Sequence, residues 1–120
     1  MSYSLNGKVS LERNLQRAEL VLDQAIPCGL ILNELISNAF KHAFPNGRAG
    51  VVRIGLKLEN EQVSISVVDD GVGLPEGFNT KNDGNLGLEL VRTLVDQLDG
   101  KLQVKAGLGV AYLLTFERYR

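Results

Sequence analysis

Two alternating apolar runs with only two residues between them limit most strongly how this chain can fold. In "VVRIGLKLE", Val52, Ile54, Leu56 and Leu58 alternate with Arg53, Gly55 and Lys57. In "QVSISVVD", Val63, Ile65 and Val67 stand opposite Ser64 and Ser66. A period of two puts each apolar set on one face of a strand, and Asn60-Glu61 between them predicts an antiparallel hairpin.

A second hairpin is expected where "KLQVKA" meets "VAYLLTF" around Gly107 and Gly109. Near the start, "VSLERN" and "AELVLD" read as two short strands, the latter from Leu20 and Leu22 alternating with Glu19, Val21 and Asp23. Two segments switch to helical spacing. The first has Pro27 in its first turn and runs to about Phe44, where Pro45-Asn46-Gly47 stops it. The second, "LGLELVRTLVDQL", repeats Leu90, Val91, Leu94, Val95 and Leu98, and Gly100 closes it. Strands that dominate, with two helices of one apolar face each, predict an α/β two-layer sandwich with the helices on one side of a mixed sheet.

At 120 residues, 44% hydrophobic and 22% charged, the chain has the size and composition of one globular domain, residues 1–120. A net charge of -1 gives no electrostatic reason to expect nucleic acid or an anionic membrane. Cys28 is the only cysteine, so neither an internal disulfide nor a cysteine-built metal site can form. That fits a reducing, cytoplasmic setting. No apolar run approaches the ~20 residues that span a bilayer, and the N-terminus lacks the apolar core of a signal peptide. In "IPCGL" Cys28 begins an apolar face, as a small buried hydrophobe would.

The stretch "NELISNAFKHAF" carries the first chemistry. At about 100° per residue, Glu34, Asn38, Lys41 and His42 share an arc of about 100°. Leu32, Leu35, Ile36, Ala39, Phe40 and Ala43 gather opposite. The polar row reads either as a solvated face or as a cluster in which Asn38 offers an oxygen to a hard cation and Lys41 a point charge to phosphate. Asn33 lies toward the edge of that arc. Further on, "DDGVGLP" follows a strand directly. Gly71 and Gly73 admit close approach to the backbone, and Asp69 at the strand end suits an exocyclic amine donor such as that of adenine. A tight turn with a capping Asp is the alternative. "GNLGLELV" then leads into the second helix, whose free N–H groups offer either an anion site or an ordinary N-cap.

In this order, "NELISNAFKHA", "DDGVG" and "NLGLELV" resemble the N, G1 and G2 boxes of the Bergerat-fold ATPases, which include gyrase, MutL-type repair proteins and sensor histidine kinases. The likeness is to the catalytic ATP-binding domain of a bacterial sensor histidine kinase, in the subclass with Glu four residues before the second Asn of the N box. It covers roughly residues 8 to 118. The resemblance implies ATP and Mg²⁺ as ligands, with Asn38 on the metal, Lys41 on phosphates and His42 against the nucleotide. Asp69 would bind the adenine amino group. Gly71, Gly73 and Leu74 would open the base pocket, while Leu86, Gly87 and Leu88 would receive the phosphates. Glu34 would be the catalytic carboxylate that orients or deprotonates the attacking imidazole.

The same resemblance implies a kinase moving the γ-phosphoryl of ATP to a histidine on a separate helical dimerisation domain, with a response-regulator receiver downstream. His42, the only histidine, lies on the ATP-binding helix and is not expected to be the acceptor. The lone chain is therefore expected to bind Mg·ATP without phosphorylating itself. Three departures stand out: Asp83-Gly84-Asn85 precede Leu86-Gly87-Leu88 where relatives have G-x-G, the lid from Leu74 to Asp83 is short, and Gly109-Val110 replaces a frequent Gly-Thr. An anti-sigma-type serine kinase and a nucleotide-binding module without catalysis are the competing readings.

Overall fold

The computed structural model describes residues 2–5, 9–42, 49–72, 86–107 and 109–119. The elements are β1 (Ser2–Leu5), β2 (Val9–Leu15), α1 (Leu22–His42), β3 (Gly50–Glu59), β4 (Gln62–Asp69), α2 (Leu86–Gln97), β5 (Lys101–Ala106) and β6 (Val110–Glu117). The six strands form one sheet in the order β1-β2-β3-β4-β6-β5. Only β2 and β3 run parallel; every other pair is antiparallel. Helix α1 makes the crossover that a parallel pair needs. The expected α/β sandwich, with a mixed and mostly antiparallel sheet and both helices on one face, is what forms.

The period-two signal was sound in the central strands. Val52, Ile54, Val63, Ile65 and Val67 are buried under the helices, together with Val110, Tyr112, Leu114 and Phe116 of β6. Asn60 (φ 51°) and Glu61 (φ 68°) join Glu59 to Gln62, both with the positive φ of a type I′ hairpin turn. The outward face carries Arg53, Lys57, Ser64, Ser66 and Thr115, groups that water solvates readily.

Three expectations need correction. First, "AELVLD" is not a strand: the Val21 carbonyl accepts N–H bonds from Gln24 and Ala25, both at 2.9 Å, so the helix has begun by Leu22. A short alternation with no neighbouring strand to pair with yields to a helical turn that satisfies its own donors. Pro27 consequently sits inside α1 rather than in its first turn. Second, the deepest line of α1 begins earlier than expected, with Cys28 and Ile31 joining Leu35 and Ala39, while Leu32, Ile36 and Phe40 of the expected apolar side pack against that core partly buried. Third, the residue that turns α2 is Asp99, at φ 50°, and not Gly100. The Gly100 N–H reaches the Val95 carbonyl (3.0 Å) and the Asp99 N–H reaches that of Asp96 (3.0 Å), a Schellman closure. Gly100 is needed for space, because a β-carbon there would meet the Thr115 carbonyl oxygen at 2.8 Å.

Strand β1 went unforeseen, since four residues are too few to show a period. Phe44 to Gly47, the expected helix stop, lie outside the described residues, and so does the lid from Leu74 to Asp83.

Beyond β6 the chain is fastened to α1. Gln24 is almost wholly buried; its Nε2 donates to the Glu117 carbonyl and its Oε1 accepts from the Tyr119 N–H, both at 2.9 Å. Arg118 forms a bidentate pair with Glu61, Nη2 to Oε1 at 2.8 Å and Nε to Oε2 at 3.1 Å. This clasp fixes the start of α1 at the Gln62/Glu117 end of the sheet.

Candidate functional site

The opposite end of the sheet collects the chemistry. Strand β3 starts there, β4 finishes there at Asp69, and β6 begins there at Val110. Helix α1 starts at the clasp and leads into the beginning of β3, so its C-terminal half, with Glu34 and Asn38, lies toward Asp69. Helix α2 ends beside Lys101, which pairs with Thr115 near the clasp, so its N-terminus also faces the Asp69 end.

Asp69 continues the inward alternation of Val63, Ile65 and Val67, which turns its carboxylate beneath the helices, 7% exposed. Its Oδ1 accepts from the Gly71 N–H at 2.8 Å and the Val110 N–H at 3.3 Å. Two backbone donors, one from the turn after β4 and one from the start of β6, thus hold a buried carboxylate in one orientation, which burial alone would not tolerate. Asp70 does different work: its Oδ1 accepts from the Val51 N–H at 2.8 Å, and its own N–H donates to the Val51 carbonyl at 3.2 Å. It extends the β3–β4 ladder by one step. Of the two aspartates in "DDG", only the first faces the interior.

Gly71 is buried, as close approach requires. Gly109 packs directly on the Asp69 backbone, and a β-carbon there would overlap the Asp69 carbonyl. The Val110 side chain is buried, and it is the backbone N–H of this residue that serves the carboxylate. Tyr112 was not foreseen as a neighbour of the site. It is 7% exposed, and burial, followed by the negative charge of Asp69, raises its phenol above the ordinary value. Register was the available signal, because Tyr112 pairs with Val67, two residues before Asp69.

On α1, Glu34 and Asn38 are half-buried on the flank of the core line, turned neither fully to water nor into the apolar layer. Lys41 and His42 occupy the last turn of α1, with side chains outside the described residues. Gly73 and Leu74 lie outside them as well. Leu86 and Gly87 open α2, and the Leu88 side chain belongs to the hydrophobic core. Among the described residues no group of three or more His, Cys, Asp or Glu could hold a metal. Asn38 offers a carboxamide oxygen, a donor type that hard cations accept.

Residues 23–119 match the family described as histidine kinase-, DNA gyrase B- and HSP90-like ATPase. The chain belongs to that family. Among its curated relatives, blue-light-activated histidine kinase 2 of Erythrobacter litoralis is 35% identical over 106 residues, covering 86% of this chain and 31% of that protein. The sensor histidine kinase PdtaS of Mycobacterium tuberculosis is 40% identical over 104 residues, 85% of this chain and 21% of that protein. The solved histidine kinase domain of the Erythrobacter litoralis EL346 blue-light-activated kinase superposes with a TM-score of 0.88 at 31% identity, covering 93% of this chain and 52% of that one. The chain therefore spans a third or less of these curated relatives. The family is one of ATPases, and an ATP-binding kinase domain of the sensor histidine kinase type is what these likenesses support.

Proposed function

We propose that this chain is the Mg·ATP-binding catalytic domain of a two-component sensor histidine kinase, transferring the γ-phosphoryl of ATP to a histidine on a separate helical domain. The observation that carries the reading is Asp69: a buried carboxylate, fixed through one oxygen by two N–H groups, at the end where α1 finishes and α2 begins. In a water-poor pocket such a group accepts a hydrogen bond from an exocyclic amine and rejects a base lacking that donor, which would leave the carboxylate unpaired.

The remaining roles follow from the family resemblance. Gly71 and Gly73, with Leu74, admit the base against the backbone. Asn38 presents its carboxamide oxygen to the metal, and Lys41 sets a positive charge against the phosphates. Leu86, Gly87 and Leu88 begin α2, where free N–H groups favour anionic oxygens. His42 lies against the nucleotide. When bound, Mg²⁺ neutralises phosphate charge and orients the γ-phosphoryl. Glu34 orients the attacking imidazole or takes its proton. Catalysis by this chain is then mainly positioning and charge stabilisation.

The phosphoacceptor domain and a receiver domain are the protein partners, in the cytoplasm, with no nucleic acid and no membrane contact by this domain. Calorimetric titration with Mg·ATP tests the site. Binding by the wild type and its loss in Asp69→Asn and in Asn38→Ala are expected; affinity unchanged in both variants would refute the assignment. Labelled ATP should leave no stable label on the lone chain.

A further inference from the structure

Strand β5 (Lys101–Ala106) forms one edge of the sheet, beyond β6 in the strand order, and among the described residues nothing pairs with its outer side. The register fixes which backbone groups are left there. The Gly107 N–H donates to the Gly109 carbonyl at 2.9 Å, one step past the Ala106/Val110 pair, so that pair exchanges no bonds of its own. Alternation along the ladder then has Lys101, Gln103 and Lys105 bonding to β6. It turns the N–H and C=O groups of Leu102, Val104 and Ala106 to the free edge. Such a row of donors and acceptors, at strand spacing, is a template for one more extended segment.

The side chains of β5 specify what that segment carries. Toward the helices, Leu102 and Val104 are half-buried and border a cavity of about 300 Å³ between β5 and α2. Val95 and Tyr112 of the core also line it, as do Arg92 and Asp96, whose opposite charges leave it without a net field. The space suits aliphatic side chains. On the outer face Lys101, Gln103 and Lys105 are exposed, and among the described residues neither lysine forms an ion pair. Lysines on an edge strand act against self-association. Two β5 strands paired antiparallel about Gln103 would set Lys101 of each copy against Lys105 of the other, like charge on like. A segment with carboxylates at alternate positions meets the same lysines favourably.

We infer that the β5 edge takes up an extended acidic segment of a partner protein, with apolar side chains toward the cavity alternating with carboxylates toward Lys101 and Lys105. The segment lies antiparallel to β5, as β6 does on the other side, and adds a strand to the six-stranded sheet. No nucleotide enters this inference, which stands or falls apart from the kinase reading.

The test uses this chain and two synthetic hexapeptides of sequence Val-Glu-Val-Glu-Val-Glu with capped ends. One is N-methylated at its glutamates and the other at its valines, so the two are equal in mass and charge. In an antiparallel pair the valines lie opposite Leu102, Val104 and Ala106 and donate toward β5, while the glutamates donate away, so only methylation of the valines blocks pairing. Titration followed by amide NMR should move the Leu102, Val104 and Ala106 signals with the first peptide and leave them in place with the second. Equal movement with both peptides, or none with either, overturns the inference. Lys101→Glu with Lys105→Glu, both at exposed positions, should weaken binding of the first peptide by about tenfold at low salt. Its counterpart with lysine in place of glutamate should bind this variant better than the wild type. Unchanged affinity of the variant for the glutamate peptide also overturns the inference, as would sedimentation of the peptide-free wild type as a dimer that buries the same three amides.

Discussion

The backbone N–H of Val110, the first residue of β6, donates to Asp69 Oδ1 across 3.3 Å, tying the end of one central strand to the beginning of its neighbour. Gly71 supplies the second N–H from the turn that follows β4. Removing that shared acceptor with Asp69→Ala leaves two buried donors without a partner, and should destabilise the fold by about 1–3 kcal/mol. Asp69→Asn retains an acceptor oxygen and should fold nearly as well. Urea unfolding of the two variants side by side checks this.

Asp69→Asn should also lower the pKa of Tyr112. Burial is the larger cause of its elevation and persists, whereas the charge of Asp69 is removed. The phenol should therefore move down yet stay above the ordinary tyrosine value. Titration of the Tyr112 ring followed by NMR gives the answer, and an unmoved pKa would show that the carboxylate does not act on the ring.

Gln24 is a single side chain that completes both halves of the clasp. Gln24→Ala should leave the Glu117 carbonyl and the Tyr119 N–H unpaired and cost about 1–3 kcal/mol in urea unfolding. Because Gln24 stands at the far end of α1 from Asn38, Mg·ATP affinity measured well below the unfolding transition should remain that of the wild type.

At the end of α2, Asp99→Gly relieves a left-handed residue and should raise stability by about 0.5–1 kcal/mol. Gly100→Ala should act in the opposite direction, since its β-carbon would press on the Thr115 carbonyl. Thermal midpoints that move the same way in both variants would contradict the assignment of the turn.

Burial pushes the Cys28 thiol from its ordinary 9.0 up to about 11. Below pH 9 the thiol is protonated in both folded and unfolded chains and contributes nothing. From pH 9 to 11 only the unfolded chain ionises, so stability should fall by up to about 2–3 kcal/mol over that span. Cys28→Ala should remove this part of the decline, as compared by urea unfolding at a series of pH values. At pH 8 the folded wild type should resist alkylation that the unfolded chain accepts.

How far the sequence reveals the fold depends on where the deciding partner lies. The β3–β4 hairpin was legible because Val52 through Val67 announce both face and turn within sixteen positions, and α2 was legible from Leu90 to Leu98. The start of α1 was not: what fixes it is Gln24 bonded to Glu117 and Tyr119, and no local pattern in "LDQAI" records a partner over ninety residues away. Asp99 escaped notice because glycine next to it offered the easier explanation for the turn. At the candidate site, the inward aim of Asp69 followed from strand alternation. The donor from Val110 and the nearness of Tyr112 required the β4–β6 register, which joins strands separated by a helix and another strand. Gly73, Leu74 and the side chains of Lys41 and His42 fall outside the described residues, so their roles rest on the family resemblance.

The way Asp69 is held has a thermodynamic corollary. Asp69 ends β4, Gly71 follows in the turn and Val110 begins β6 after α2 and β5, so no short fragment of the chain can assemble this arrangement by itself. A nucleotide bound there, as proposed, would meet only the finished sheet, and at a hundred times its dissociation constant it would add about 2.7 kcal/mol to the work of unfolding. In a cell rich in that nucleotide, the substrate would act as the scaffold that keeps its own enzyme intact.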